Sequence, residues 1–210
     1  MNRKSGFVLV ALLLAVSLGC SNHRDVMLPP RIDLTQHELI GVVEFDSSEE
    51  GELGPLVTRR FTESARRDQG VVRMVGFGSR ADVVASVGQD EWDAETVKAL
   101  GEKHGVRTIV IGELTISDVK PDIRVSSSLR SGSLSAQVNA TLAVQLIETS
   151  TGASLWSTSA RAKRDVGHVS VFQGKEIAFD ATDPERVYGG LIDSLVAQVT
   201  RDFQVSWERQ

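Results

Sequence analysis

The chain has 210 residues, 41% hydrophobic, 24% charged and 5% aromatic, with a single cysteine. These proportions fit one globular core or two small ones, and exclude wholesale disorder, a collagen-like repeat and a polytopic membrane protein. One Cys excludes an internal disulfide and a Cys-based zinc site, and 21 basic against 28 acidic residues beyond Gly19 argue against a phosphate-driven nucleic-acid binder.

Residues 1–19 read as a leader. Arg3 and Lys4 give a positive start, and Phe7 to Val16 is an apolar run without a charge, too short for the roughly 20 residues of a bilayer span. Ser17-Leu18-Gly19-Cys20 follows. An apolar stretch ending in a small residue and then Cys resembles the lipobox of bacterial lipoproteins, with Ser17 where Leu is usual. The resemblance implies diacylglyceryl transfer to the Cys20 thiol and cleavage that leaves Cys20 as the first residue. Acyl chains contribute about 0.8 kcal/mol per buried CH₂, so two or three hold a protein almost irreversibly. Ser21, rather than Asp, after the Cys implies an outer-membrane lipoprotein facing the periplasm.

Residues 20–37 are polar, contain Pro29-Pro30 and show no periodicity, which predicts an extended, lipidated linker. The domain is expected over 38–205. Glu38 to Asp46 reads as a strand; from Pro55 to about Asp68 the spacing of Leu56, Val57, Phe61 and Ala65 predicts a helix. A second strand over Val71 to Phe77 precedes a short helix over Ser79 to Val87 and another over Asp93 to His104, stopped by Gly105. Arg107 to Val119 is a β-branched strand. The clearest alternation follows, with Val138, Ala140, Leu142, Val144 and Leu146 on one face. A turn at Thr149-Ser150-Thr151-Gly152 makes a hairpin with Ala153 to Val166. Asp183-Pro184 begins a helix to about Phe203 with an apolar stripe through Val187, Leu191, Leu195 and Val199. The expected class is α/β (α+β), a mixed sheet of about five strands in the order β-α-β-α-α-β-β-β-α, with helices covering one face.

No catalytic constellation assembles from spacing. His23, His37, His104 and His168 lie far apart, and no HExxH, GxSxG or P-loop is present, so no metal, cofactor or enzymatic activity is expected. Gly76-Phe77-Gly78-Ser79-Arg80-Ala81 matches G-x-G-x-x-A between a strand and a helix, but follows the second strand and opens a short helix; it reads as a tight turn needing small residues. Arg59, Arg60, Arg66 and Arg67 form a basic cluster on the first long helix. It reads either as a contact for anionic lipid or an acidic partner, or as a solvated face balanced by Glu63 and Asp68.

The segments LGEKHGVRTIVIGELTISDVK and QVNATLAVQLIETSTGASL, with VVEFD before them and the amphipathic helix after, resemble the CsgG family of curli-secretion lipoproteins, to which PelC, LpoB and the TolB amino-terminal domain are related. The resemblance spans residues 38–203. It implies a non-catalytic, lipid-anchored periplasmic factor acting by homo-oligomerisation or by docking an envelope protein. Its alternative is a curli-type pore, whose membrane hairpins would correspond to residues 123–135 and 166–179. Serines interrupt the first of these segments, and Gln173 and Lys175 the second; a Lys near the bilayer midplane costs about 2–4 kcal/mol per subunit, so the residues do not favour a barrel. The lipid anchor has a direct test: Cys20→Ala abolishes incorporation of labelled palmitate, and label that persists in the variant overturns the lipobox reading.

Overall fold

The computed structural model describes residues 25–49, 51–117, 120–124, 133–167 and 184–209. The leader, Cys20, His23, His168 and most of segments 123–135 and 166–179 lie outside them. The chain divides into two units, one combining residues up to Pro29 with Val205–Gln210, the other running from Pro30 to Gln204.

In the first unit, β1 (Asp25–Leu28) pairs antiparallel with β9 (Ser206–Arg209), placing Met27 opposite Trp207. Neither strand was expected. Four-residue strands with mixed polar and apolar residues lack a periodicity that could be told from a linker or a tail.

The second unit is a mixed sheet with helices on both faces. β2 (Ile40–Val43), β4 (Met74–Gly78) and β5 (Thr108–Ile116) are parallel, with β2 in the middle. β7 (Ser133–Glu148) joins β5 antiparallel, and β8 (Ser154–Gly167) joins β7. β3 (Asp46–Ser47) continues the pairing of β2 with β5, and β6 (Lys120–Arg124) takes over from β5 along the same edge of β7. The seven described strands therefore make a sheet five strands wide, as the patterning predicts.

One face of the sheet carries the larger core. Val138, Ala140, Leu142, Val144 and Leu146 of β7 are all buried, facing α1 (Leu53–Arg66) and α4 (Pro184–Val199). Phe61 of α1 meets Phe45 at 5.2 Å between ring centroids and Phe203 at 6.1 Å, and Phe203 in turn meets Trp156 at 4.6 Å. Each such aromatic removes on the order of 150–250 Å² from water, the main stabilising term of this layer. The opposite face is covered by α2 (Arg80–Ser86) and α3 (Ala94–His104), whose Val83, Val97 and Leu100 pack on Val43, Ile109 and Ile147. The expectation of helices on one face alone is corrected here. β2 and the first part of β5 are apolar on both sides, the mark of parallel strands buried twice.

The first expected strand is broken. Phe45 turns its backbone N–H to Thr58 Oγ1 at 2.8 Å and sends its ring into the larger core, so pairing lapses between Val43 and Asp46. Gly112 makes room for that ring: a Cβ there would overlap it. The second strand begins at Met74, because Val71 is 92% exposed and the pairing with β2 starts only where Ile40 donates to the Arg73 carbonyl. The last helix ends at Val199 and a single 3-10 turn, Arg201–Phe203, delivers Phe203 to the core.

The larger unit starts at Pro30, within the stretch expected as linker. Leu34, in the 3-10 turn Leu34–Gln36, is 1% exposed and belongs to the larger core. Gln69 holds it there. Its carboxamide, 4% exposed, accepts from Leu34 N at 2.7 Å and donates to the carbonyls of Ile32 at 2.9 Å and Phe203 at 2.6 Å. One side chain thus satisfies three backbone groups from opposite ends of the unit. Gln69→Ala should lower unfolding free energy by about 2–4 kcal/mol, since buried groups lose their partners; urea denaturation measures this, and a loss under ~0.5 kcal/mol would contradict the assignment.

Candidate functional site

The chain leaves β2 through α1 on one face of the sheet and leaves β4 through α2 and α3 on the other. Divergent crossovers open a crevice beyond the carboxyl ends of the two strands, where open α/β sheets commonly bind ligands. A cleft of about 170 Å³ lies there, lined by Glu44, Asp46, Glu49, Gly54, Ser79 and Arg80 among others.

Local chemistry explains the arrangement. Gly54 brings the first turn of α1 against the end of β2, since a Cβ would run into the Phe45 carbonyl. Gly78, at φ +90°, ends β4 in a conformation that other residues rarely adopt, and Ser79 then caps α2 by accepting from Asp82 N at 3.2 Å. The Ser79 hydroxyl also donates to the Asp82 carboxylate at 2.7 Å. The glycine-rich stretch 76–81 is therefore a strand-to-helix turn whose helix start is already occupied by its own serine and aspartate. Carboxylates around it would repel a pyrophosphate.

Arg80 bridges the cleft wall. It pairs with the Asp46 carboxylate at 2.5 Å and lies 5.5 Å from the Trp92 ring centroid. Three acids against this one engaged cation leave the lining negative. The consequence falls on Glu44: desolvation, followed by repulsion from Glu52, Asp46 and Asp82, holds its carboxyl above the ordinary range. Such a crevice suits a cationic group, for example a Lys or Arg side chain of a docking chain. Among the described residues, no group of three or more His, Cys, Asp or Glu is arranged to hold a metal ion.

The arginine cluster resolves into a seam between helices. Arg59 and Arg60 both reach Glu185 of α4, at 3.3 and 2.5 Å, and Arg60 lies 3.7 Å from Asp193. Arg66 donates to the Met74 carbonyl at 3.1 Å. The acids that answer Arg59 and Arg60 come from α4. Exposed pairs of this kind contribute about 0–1 kcal/mol each, enough to set helix register and little more. His104 stacks on Phe77 at 4.4 Å, and burial lowers the pKa of His37 in the turn before β2, with the Arg107 charge acting in the same direction.

Two further surfaces are open. Beyond the reach of α3, the second face of β5, β7 and β8 is polar, with rows such as Glu113–Ala143–Ser159 and Ile111–Gln145–Ser157 meeting across the strands. The β4 edge carries Met74-Val75-Gly76-Phe77-Gly78, with no charge of its own, whereas the β8 edge is guarded by Arg161, Lys163 and Arg164. Sequence reading missed Glu44, Asp46 and Arg80. Their only signal was acids placed at the end of a β-branched run ahead of two glycines.

No protein-family profile and no curated protein matches this sequence. Among solved structures, it is similar to the PelC dodecamer from Paraburkholderia phytofirmans, with 14% identity over 87% of this chain and 97% of that one and a TM-score of 0.41. It is also similar to the LpoB C-terminal domain from Salmonella enterica (11% identity, 73% and 94% coverage, TM-score 0.36) and to lipoprotein GNA1162 from Neisseria meningitidis (16% identity, 65% and 88% coverage, TM-score 0.35).

The cleft carries its own pH signature. A carboxyl with a raised folded pKa stabilises the fold only while protonated, and that contribution is lost as pH rises through the folded value. Glu44→Gln should therefore raise the thermal midpoint at pH 7, with the advantage shrinking as pH falls toward 4.5 and below. A scan showing no advantage at pH 7, or one that grows on acidification, would remove the burial and repulsion argument.

Proposed function

We propose that this chain is a lipid-anchored envelope accessory factor, held by acyl groups on Cys20 and acting by docking partner chains or its own copies, without chemistry of its own. The observation that carries the reading is the lone cysteine directly behind an apolar leader, with strand β1 beginning only five residues later. Fully extended, five residues span at most about 18 Å, so the first strand is confined to the neighbourhood of the acylated leaflet.

The body supports docking. The crevice at the ends of β2 and β4 is shaped by divergent helices, is negative, and has its single arginine engaged, so an incoming cationic side chain would find acceptors there. The uncharged β4 edge offers main-chain groups of the kind that a partner strand extends. The outer membrane, facing the periplasm, is the compartment that Ser21 after the cysteine implies.

Fractionation and sedimentation test the reading together. Mature protein should partition with outer membranes through a high-salt wash, require detergent for release, and then sediment as a species larger than a single chain or in defined stoichiometry with an envelope protein. A freely soluble monomer after leader removal, or turnover of a metabolite by the purified protein, would overturn it. Conductance across planar bilayers would favour the pore alternative.

A further inference from the structure

We propose that the β1–β9 ribbon is a second membrane contact, in which Met27 and Trp207 seat among the lipid headgroups of the leaflet that anchors Cys20. The inference rests on the lipid-anchor reading and adds to it a surface that sets orientation.

Three observations converge. The antiparallel register pairs Met27 with Trp207, so both side chains stand on one face of the ribbon. They are 56% and 67% exposed, and Leu28, the next residue along β1, is 37% exposed on the other face, so three of the large exposed apolar side chains among the described residues lie on this ribbon. Two strands of four residues are too small to bury such side chains by themselves.

Chain length names the occupant. Met27 is seven residues from Cys20, at most about 25 Å when fully extended, which is less than the thickness of a bilayer with its headgroups. The ribbon cannot leave the vicinity of the lipid surface while Cys20 is acylated. An indole suits that depth, since its apolar body and N–H prefer the boundary between hydrocarbon and water. The charges of the two strands and the residue before them, Arg24, Asp25, Glu208 and Arg209, cancel. Binding is thus expected to be interfacial rather than electrostatic, equally good on zwitterionic lipid and insensitive to salt.

Acylated full-length protein, its Cys20 acyl groups verified by mass spectrometry, is reconstituted into phosphatidylcholine vesicles brominated near the headgroup end of the acyl chain. Wild-type tryptophan emission should be quenched, and W207F, which leaves Trp92 and Trp156 as internal controls, should lose about two-thirds or more of that quenching. In the unacylated C20S protein, M27S and W207S should each weaken vesicle partitioning by about threefold to tenfold, from the apolar area withdrawn from lipid. Acylated protein whose Trp207 stays unquenched overturns the ribbon contact and leaves the anchor standing. Absence of acyl groups on Cys20 overturns the anchor, and the ribbon contact with it. A C20S dimer that W207S dissociates would assign this face to a second copy and likewise overturn the proposal.

Discussion

The five-residue stripe on β7 is the constraint around which the larger unit is arranged. Val138, Ala140, Leu142, Val144 and Leu146 occupy every second position, so the strand cannot shift register by one residue without turning all five to water. β5 and β8 are locked to it on either side, and their own apolar positions follow in register. Two helices of opposite chain location, α1 and α4, are then needed to dry the same face. Gln69 completes that closure. It ties the turn before β2 and the turn after α4 to the end of α1 through three buried hydrogen bonds.

Once α1 covers one face, the parallel part of the sheet has to be covered from the other side as well. β2 is apolar all round, and α2 and α3 supply the second layer. The cleft at the ends of β2 and β4 is a by-product of this division, and its character comes from the loops that close it. Carboxylates gather where the strand ends meet the first turn of α1, and the positive end of that helix makes their presence tolerable. Glu44 still pays for its position through desolvation and like-charge neighbours. A crevice that holds unfavourable charge in this way would gain if a cationic group entered it.

Much of this fold was legible in the residues. The stripe on β7, the hairpin turn, Gly105 closing α3 and the apolar spacing of α1 and α4 each appear where local periodicity and cap chemistry put them. The misses share a cause. Phe45 leaves the β2 ladder because Thr58, thirteen residues on, offers its backbone a better-placed acceptor and Gly112 leaves its ring a space. Leu34 enters the core because Gln69 satisfies the polar backbone around it. Nothing local to either residue carries that information. The cleft was hidden for the same reason, since Glu44, Asp46 and Arg80 come from two crossovers.

By itself, the sequence determined the periodicities, the turns, the lone thiol behind an apolar leader and the acidic balance, because each depends on neighbours within a few positions along the chain. Only the tertiary structure decided that helices lie on both faces, that residues from Pro30 onward belong to the body, that Arg59 and Arg60 answer Glu185, and that Met27 stands opposite Trp207. Those outcomes depend on which distant groups share the limited volume that excludes water, and no local pattern specifies that choice.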